Sequence, residues 1–165
     1  MLARARGPVL DVGCGPARHV LALHAMGVDA LGIDSSASAV RAARRRGAAV
    51  LHRCVFGPLP DEGRWGSALL LDGNVGIGGE PDRLLARLHA VVRRGGRVLV
   101  EVEPPGSGRG SLRVRAELDG RSVSSWFAWA TIGADEVPGV ARNAGFRSVD
   151  LREDAGRWFA TLEAR

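Results

Sequence analysis

The residues best suited to chemistry stand at the ends of two apolar runs. The first, VLDVGCG, carries Asp11, Gly13 and Gly15; the second, ALGID, ends in Asp34, about 20 residues beyond the glycines. Two glycines one residue apart let the chain turn sharply and admit a ligand to the main chain, and the N–H groups that open a following helix attract an anion. A carboxylate at the end of the second strand is placed to bind both hydroxyls of a ribose. The combination indicates a cofactor containing adenosine.

Two cofactors satisfy that description. The dinucleotide fingerprint G-x-G-x-x-G needs a third glycine so that helix and strand can pack closely, but position 18 is Arg18, whose long side chain would obstruct the contact. Asp11 would repel a pyrophosphate, yet it suits a cationic ligand bearing an ammonium group. S-adenosylmethionine carries a sulfonium and an α-ammonium. An NAD-type oxidoreductase is the disfavoured alternative.

Those residues need a scaffold, and the apolar pattern supplies one. PVLDVG and DALGID read as strands, with ARHVLALHAMG between them as a helix closed by Gly27. SASAVRAARRRG repeats the unit, opening on serine and closing at Gly47, and AAVLHRCV and SALLLDG follow as strands. EPDRLLARLHAVVRRGG is a helix with Pro81 in its first turn, Leu84, Leu88, Val91 and Val92 on one stripe, and glycines at its end. RVLVEVEP is a fifth strand. Near-continuous Val, Leu and Ile strands separated by helices describe a parallel sheet covered on both faces, an α/β fold.

The last third changes rhythm. SLRVRAEL and SVSSWFAWATI flank an Asp-Gly pair, which places an antiparallel ribbon over residues 111–132. ADEVPGVARNAGF reads as a helix with Pro138 in its first turns. RSVDLRED and RWFATLEAR around Ala155-Gly156 read as a terminal hairpin.

VLDVGCGPARH followed by GIDSS resembles motifs I and II of the class I S-adenosylmethionine-dependent methyltransferases, and the likeness runs over nearly the whole chain. It implies a Rossmann-like, doubly wound, mostly parallel seven-stranded sheet with an antiparallel C-terminal hairpin. By that resemblance Asp11, Gly13, Cys14 and Gly15 line the methionine end of the cofactor, Asp34 holds the ribose and Ser35 lies beside the adenine. Val55 and Phe56, after the third strand, flank the adenine ring. Asp72, Gly73 and Asn74, after the fourth, close over the methionine and face the substrate. The family's frequent adenine-binding aspartate is missing from CVFGPLP, and the fourth loop is not the Asn-Pro-Pro-aromatic type associated with methylating base amines. The resemblance further implies one methyltransferase domain over residues 1–165, expected to lack the helical cover that usually precedes the first strand.

Composition sets the remaining bounds. The 165 residues suit one domain, and with 45% hydrophobic and 25% charged residues no stretch approaches a membrane span. No signal peptide precedes the first strand, so a cytoplasmic protein is expected. A net charge of +5 raises the question of nucleic acid, but every basic side chain is arginine and none lysine, the codon signature of a GC-rich genome. The RAARRRG cluster falls at a helix end, where cations complement the dipole, and nucleic acid is disfavoured. Cys14 and Cys54 fit no metal spacing, and His19 and His24 are not spaced to share a metal, so none is expected.

Trp126, Phe127 and Trp129 suit either a substrate wall or packing of the ribbon on the sheet. Glu101 and Glu103 are expected on opposite faces of the fifth strand, so that at most one could reach the crevice. The expectation is methyl transfer from S-adenosylmethionine to an O, N or C nucleophile of a small-molecule acceptor. Alignment and exclusion of water carry most of that reaction, and no residue is named catalytic. A non-catalytic methyltransferase-fold binding protein remains a second alternative; the oligomeric state is left open.

Overall fold

The computed structural model describes residues 1–118, 120–122 and 124–165. Seven strands form the main sheet: β1 (Val9–Val12), β2 (Ala30–Asp34), β3 (Val50–His52), β4 (Trp65–Leu70), β5 (Val92–Val102), β10 (Phe146–Asp154) and β11 (Arg157–Ala164). Their order is β10-β11-β5-β4-β1-β2-β3. The five strands from β5 to β3 are mutually parallel, whereas β11 runs antiparallel to both β5 and β10. The expected doubly wound sheet with an antiparallel terminal hairpin is present.

Alternation along the strands divides the core between two faces. Leu10, Val12, Ala68, Leu70, Val98 and Val100 belong to the face covered by α3 (Pro81–Val91) and α4 (Val137–Asn143), through Leu84, Leu88 and Val140. Val9, Leu69 and Leu99 turn the other way, towards α1 (Arg18–Ala25) and α2 (Ala37–Arg45), through Val20, Leu23 and Val40. Each fully buried Leu or Val among them contributes roughly 1.5–3 kcal/mol by leaving water. Both faces of the central strands are covered, which is why they read as unbroken apolar runs.

Local signals fix the helix ends. Ser36 caps α2, its hydroxyl accepting from the Ala39 N–H at 3.3 Å. Pro81 occupies the first turn of α3, where no N–H is needed. That helix stops at Val91, short of the expected Arg-Arg-Gly-Gly end, and Val92 already pairs with Trp65. Gly95 has a positive φ, and the register slips before Ser67 pairs with Arg97.

Beyond β5 the chain forms the ribbon β6 (Arg109–Val114) and β9 (Phe127–Ile132), paired antiparallel from Arg109↔Ile132 to Val114↔Phe127. It begins two residues earlier than the sequence suggests. The tip carries a short pair, β7 (Glu117–Leu118) with β8 (Arg121–Ser122). Asp119, half of the Asp-Gly turn, lies outside the described residues. Among those residues no helix is long and apolar enough to cross a membrane.

Candidate active site

Strand order reverses at β1, because the chain winds outward through β2 and β3 and returns to β4 on the other side. Ligands bind outside the carboxyl ends of strands at such a reversal. Asn74 joins the two loops there: its Nδ2 donates to Val12 O at 2.8 Å and to Gly13 O at 3.0 Å. Gly13 has φ +71°, and a Cβ on it would stand 2.9 Å from both Asn74 Nδ2 and Ile77 Cδ1, so position 13 has no room for a side chain. A Cβ on Gly15 would meet nothing within 4 Å. The turn is open on that side.

Asp34 is held in place by main-chain donors. Its Oδ2 accepts from the Gly15 N–H at 2.9 Å and its Oδ1 from the Ser36 N–H at 2.7 Å. The end of β2 is thereby tied to the glycine turn and to the start of α2.

Gly13, Asp34, Ser35, Val55, Phe56 and Asn74 all line one open cleft of about 890 Å³, within the ~300–1,000 Å³ range of small-molecule sites. Six of the eleven residues named from sequence are thus brought together. Arg87 of α3 holds the Val55–Phe56 loop, donating to Val55 O at 2.9 Å and to Gly57 O at 2.8 Å. Arg87 also meets both carboxylate oxygens of Glu62, at 2.6 and 2.9 Å. That pairing holds the Glu62 carboxyl down to about 2. The Arg83 guanidinium lies 4.5 Å over the Phe56 ring and covers one of its faces.

Asp11, Cys14 and Gly15 do not line the cleft. Asp11 is 1% exposed, on the α1 side of β1, and its Oδ2 has no hydrogen-bond partner. The nearest basic group is His19 Nδ1 at 3.7 Å. A buried carboxylate oxygen without a donor is costly. Cys14 turns its thiol under β2, where a Cβ on Gly32 would stand only 2.6 Å from Sγ. Burial first, then Asp11 and Asp34, push its pKa up to about 12.

Asp72 and Gly73 line a second, smaller cavity of about 350 Å³ with Glu101, Glu103, Trp129, Arg157 and Trp158. Glu101 and Glu103 therefore face the same cavity. Side chains two apart on a strand share a face, so the expectation that they diverge is corrected. Arg157, on β11, donates to Glu101 Oε1 at 2.8 Å and Oε2 at 2.5 Å, and to Asp72 Oδ1 at 3.0 Å. Arg18 does not obstruct helix packing; it reaches outward from the start of α1 and pairs with Asp72.

Phe127 and Trp129 line the large cleft, their rings edge-on at 5.9 Å, while Trp126 is exposed and lines neither cavity. The ribbon thus supplies an aromatic wall. Arg157 and Trp158 escaped the sequence reading because only strand pairing across β5 and β11 brings the terminal hairpin to the site.

The methyltransferase-domain family model matches residues 9–96, which span both loops of the crevice and more than half of the chain. The chain belongs to this family, a class I S-adenosylmethionine-dependent methyltransferase. A search of curated proteins returns no match. Solved structures share the fold. A methyltransferase from Bacteroides fragilis in complex with S-adenosyl-L-homocysteine aligns over 99% of this chain and 75% of its own at 22% identity, with a TM-score of 0.80. A methyltransferase from Methanosarcina mazei covers 94% of this chain and 91% of its own at 15% identity and TM-score 0.74. The 1,6-didemethyltoxoflavin-N1-methyltransferase of Burkholderia thailandensis, with bound 1,6-didemethyltoxoflavin and S-adenosylhomocysteine, covers 94% and 70% at 21% identity and TM-score 0.68.

Proposed function

We propose that the protein transfers the methyl group of S-adenosylmethionine to a small-molecule O, N or C nucleophile, with the adenosine in the large cleft and the acceptor in the smaller cavity. The carrying observation is the buried, donorless Oδ2 of Asp11 below a glycine turn that is open at Gly15. An ammonium group supplies the donors that this oxygen lacks, and a pyrophosphate supplies none. S-adenosylmethionine, when bound, brings an electrophilic methyl on a sulfonium.

The chain's own residues bind and align. Asp34 accepts the ribose hydroxyls; Ser35, Val55 and the uncovered side of Phe56 flank the adenine; Gly13 and Gly15 admit the methionine end to the main chain. Cys14 packs below that turn and touches no substrate. Asp72, Gly73 and Asn74 form the wall between donor and acceptor, so the nucleophile is presented in line and water is displaced. A cavity of about 350 Å³ suits a small molecule, in keeping with the Burkholderia neighbour that binds its small-molecule acceptor. The reading places the enzyme in the cytoplasm, where Cys14 and Cys54 stay free thiols.

The test compares S-adenosylhomocysteine with 5′-methylthioadenosine, which keeps the adenosine and lacks the amino-acid end. Asp11→Asn should weaken the first by about tenfold and leave the second unchanged. Equal loss for both ligands, or no loss for either, removes Asp11 from the methionine end.

A further inference from the structure

The smaller cavity adjoins the large cleft. Trp129 lines both, and the segment between them alternates, with Gly73 and Val75 on the smaller side and Asn74 on the larger. An acceptor seated there is next to the donor cleft, and its chemistry is readable from charge balance.

Three carboxylates line the cavity, those of Asp72, Glu101 and Glu103, against one guanidinium among the described residues, Arg157. Arg157 is already paired with two carboxylates, its Nε and Nη2 serving Glu101 and Asp72, so its one positive charge is more than balanced. Asp72 is paired through its Oδ1 with both Arg157 and Arg18. Glu101 also accepts the Asp72 N–H at 2.6 Å. Glu103 alone has no ion pair or side-chain hydrogen bond among the described residues. The cavity therefore offers one uncommitted carboxylate and no uncommitted cation, in a protein whose net charge is +5. Its apolar lining includes two tryptophans, Trp129 and Trp158, beside Val75, Val102, Pro104 and Ile132, and an indole ring is the best aromatic partner for a cation.

We infer that this cavity selects a methyl acceptor carrying an amino group, with Glu103 as the partner of its positive charge and Trp129 and Trp158 as its walls. The inference rests on the methyltransferase reading above and narrows its acceptor. A carboxylate-bearing acceptor would face Glu103 with no free guanidinium to receive it. A neutral hydroxyl compound would gain the indole contacts alone.

The experiment titrates the protein by calorimetry near pH 7 with three probes of one shape: tryptamine, tryptophol and indole-3-acetate, each with and without saturating S-adenosylhomocysteine. Tryptamine should bind most tightly and indole-3-acetate most weakly. Glu103→Gln should weaken tryptamine about fivefold, the usual ceiling for a solvent-exposed charge pair, and leave tryptophol unchanged. Arg157→Met should free Glu101 and Asp72 and strengthen tryptamine. Equal binding of the three probes, no binding of any, preference for the carboxylate, or a Glu103→Gln protein that keeps the full tryptamine preference overturns the inference. S-adenosylhomocysteine affinity is read in the same titrations, and its absence overturns the cofactor reading instead, since the probe order is still measured without it.

Discussion

The main-chain N–H of Gly15 donates to Asp34 Oδ2 at 2.9 Å, so the carboxylate that ends the second strand and the glycine turn that follows the first form one rigid unit. Asp34→Ala should weaken S-adenosylhomocysteine by about ten- to a hundredfold, through lost ribose bonds and a loosened turn. Asp34→Asn keeps one acceptor oxygen and should lose less. Calorimetry of both variants checks the order; unchanged affinity in either would take Asp34 out of the ribose site.

Gly13 is constrained on two counts, a positive φ and contact with Asn74 and Ile77. Gly13→Val should abolish cofactor binding and lower stability by roughly 1–3 kcal/mol while unfolding stays cooperative. Asn74→Ala removes both bonds that join the loops and should weaken binding with a smaller loss of stability. Thermal melts with and without S-adenosylhomocysteine separate the two effects.

The architecture was legible because βα alternation, caps and terminal glycines all pointed one way, and the glycine turn with Asp34 located the crevice. Side-chain direction was not legible. Cys14 sits inside the motif yet turns under Gly32, and Asp72 is drawn off by Arg18 and Arg157, partners distant in sequence. The tie from Arg87 to the Val55–Phe56 loop leaves no local trace either, because an arginine on an amphipathic helix reads as solvated. The second cavity needed the C-terminal hairpin paired to β5 before its arginine and tryptophan could reach Glu101 and Glu103.

Cys14 is buried with its pKa pushed up to about 12, whereas Cys54 is exposed. A thiol-alkylating reagent at pH 8 should modify Cys54 promptly and Cys14 only after unfolding. Mass spectrometry of the modified peptides reads the difference, and equal rates would contradict the packing assigned to Cys14.

Glu62 should make the Val55–Phe56 loop sensitive to acid. Its carboxyl is lowered to about 2 in the folded protein by hydrogen bonds from Arg87 and the Leu59 N–H. A lowered folded value gives stability that is complete above the ordinary range near 4.5 and is lost as pH falls towards 2. Glu62→Gln should therefore flatten the decline of melting temperature across that window and leave the neutral-pH value closer to that of the acidified wild type. A parallel decline in both proteins would exclude Glu62 as the titrating group.

Arg87→Met should free the Val55 and Gly57 carbonyls and loosen the adenine side of the cleft. S-adenosylhomocysteine should weaken by about three- to tenfold, and 5′-methylthioadenosine by the same factor, since the loss falls on the adenosine half. A loss confined to S-adenosylhomocysteine would put Arg87 at the other end of the ligand.

The central claim, that the crevice above Asp11, Gly13 and Asp34 holds S-adenosylmethionine, is tested most directly by titrating the purified protein with S-adenosylhomocysteine and with NAD under the same conditions. One S-adenosylhomocysteine per chain is expected, weakened about ten- to a hundredfold in Asp34→Ala, with no heat from NAD; binding of NAD with no binding of S-adenosylhomocysteine would contradict the claim.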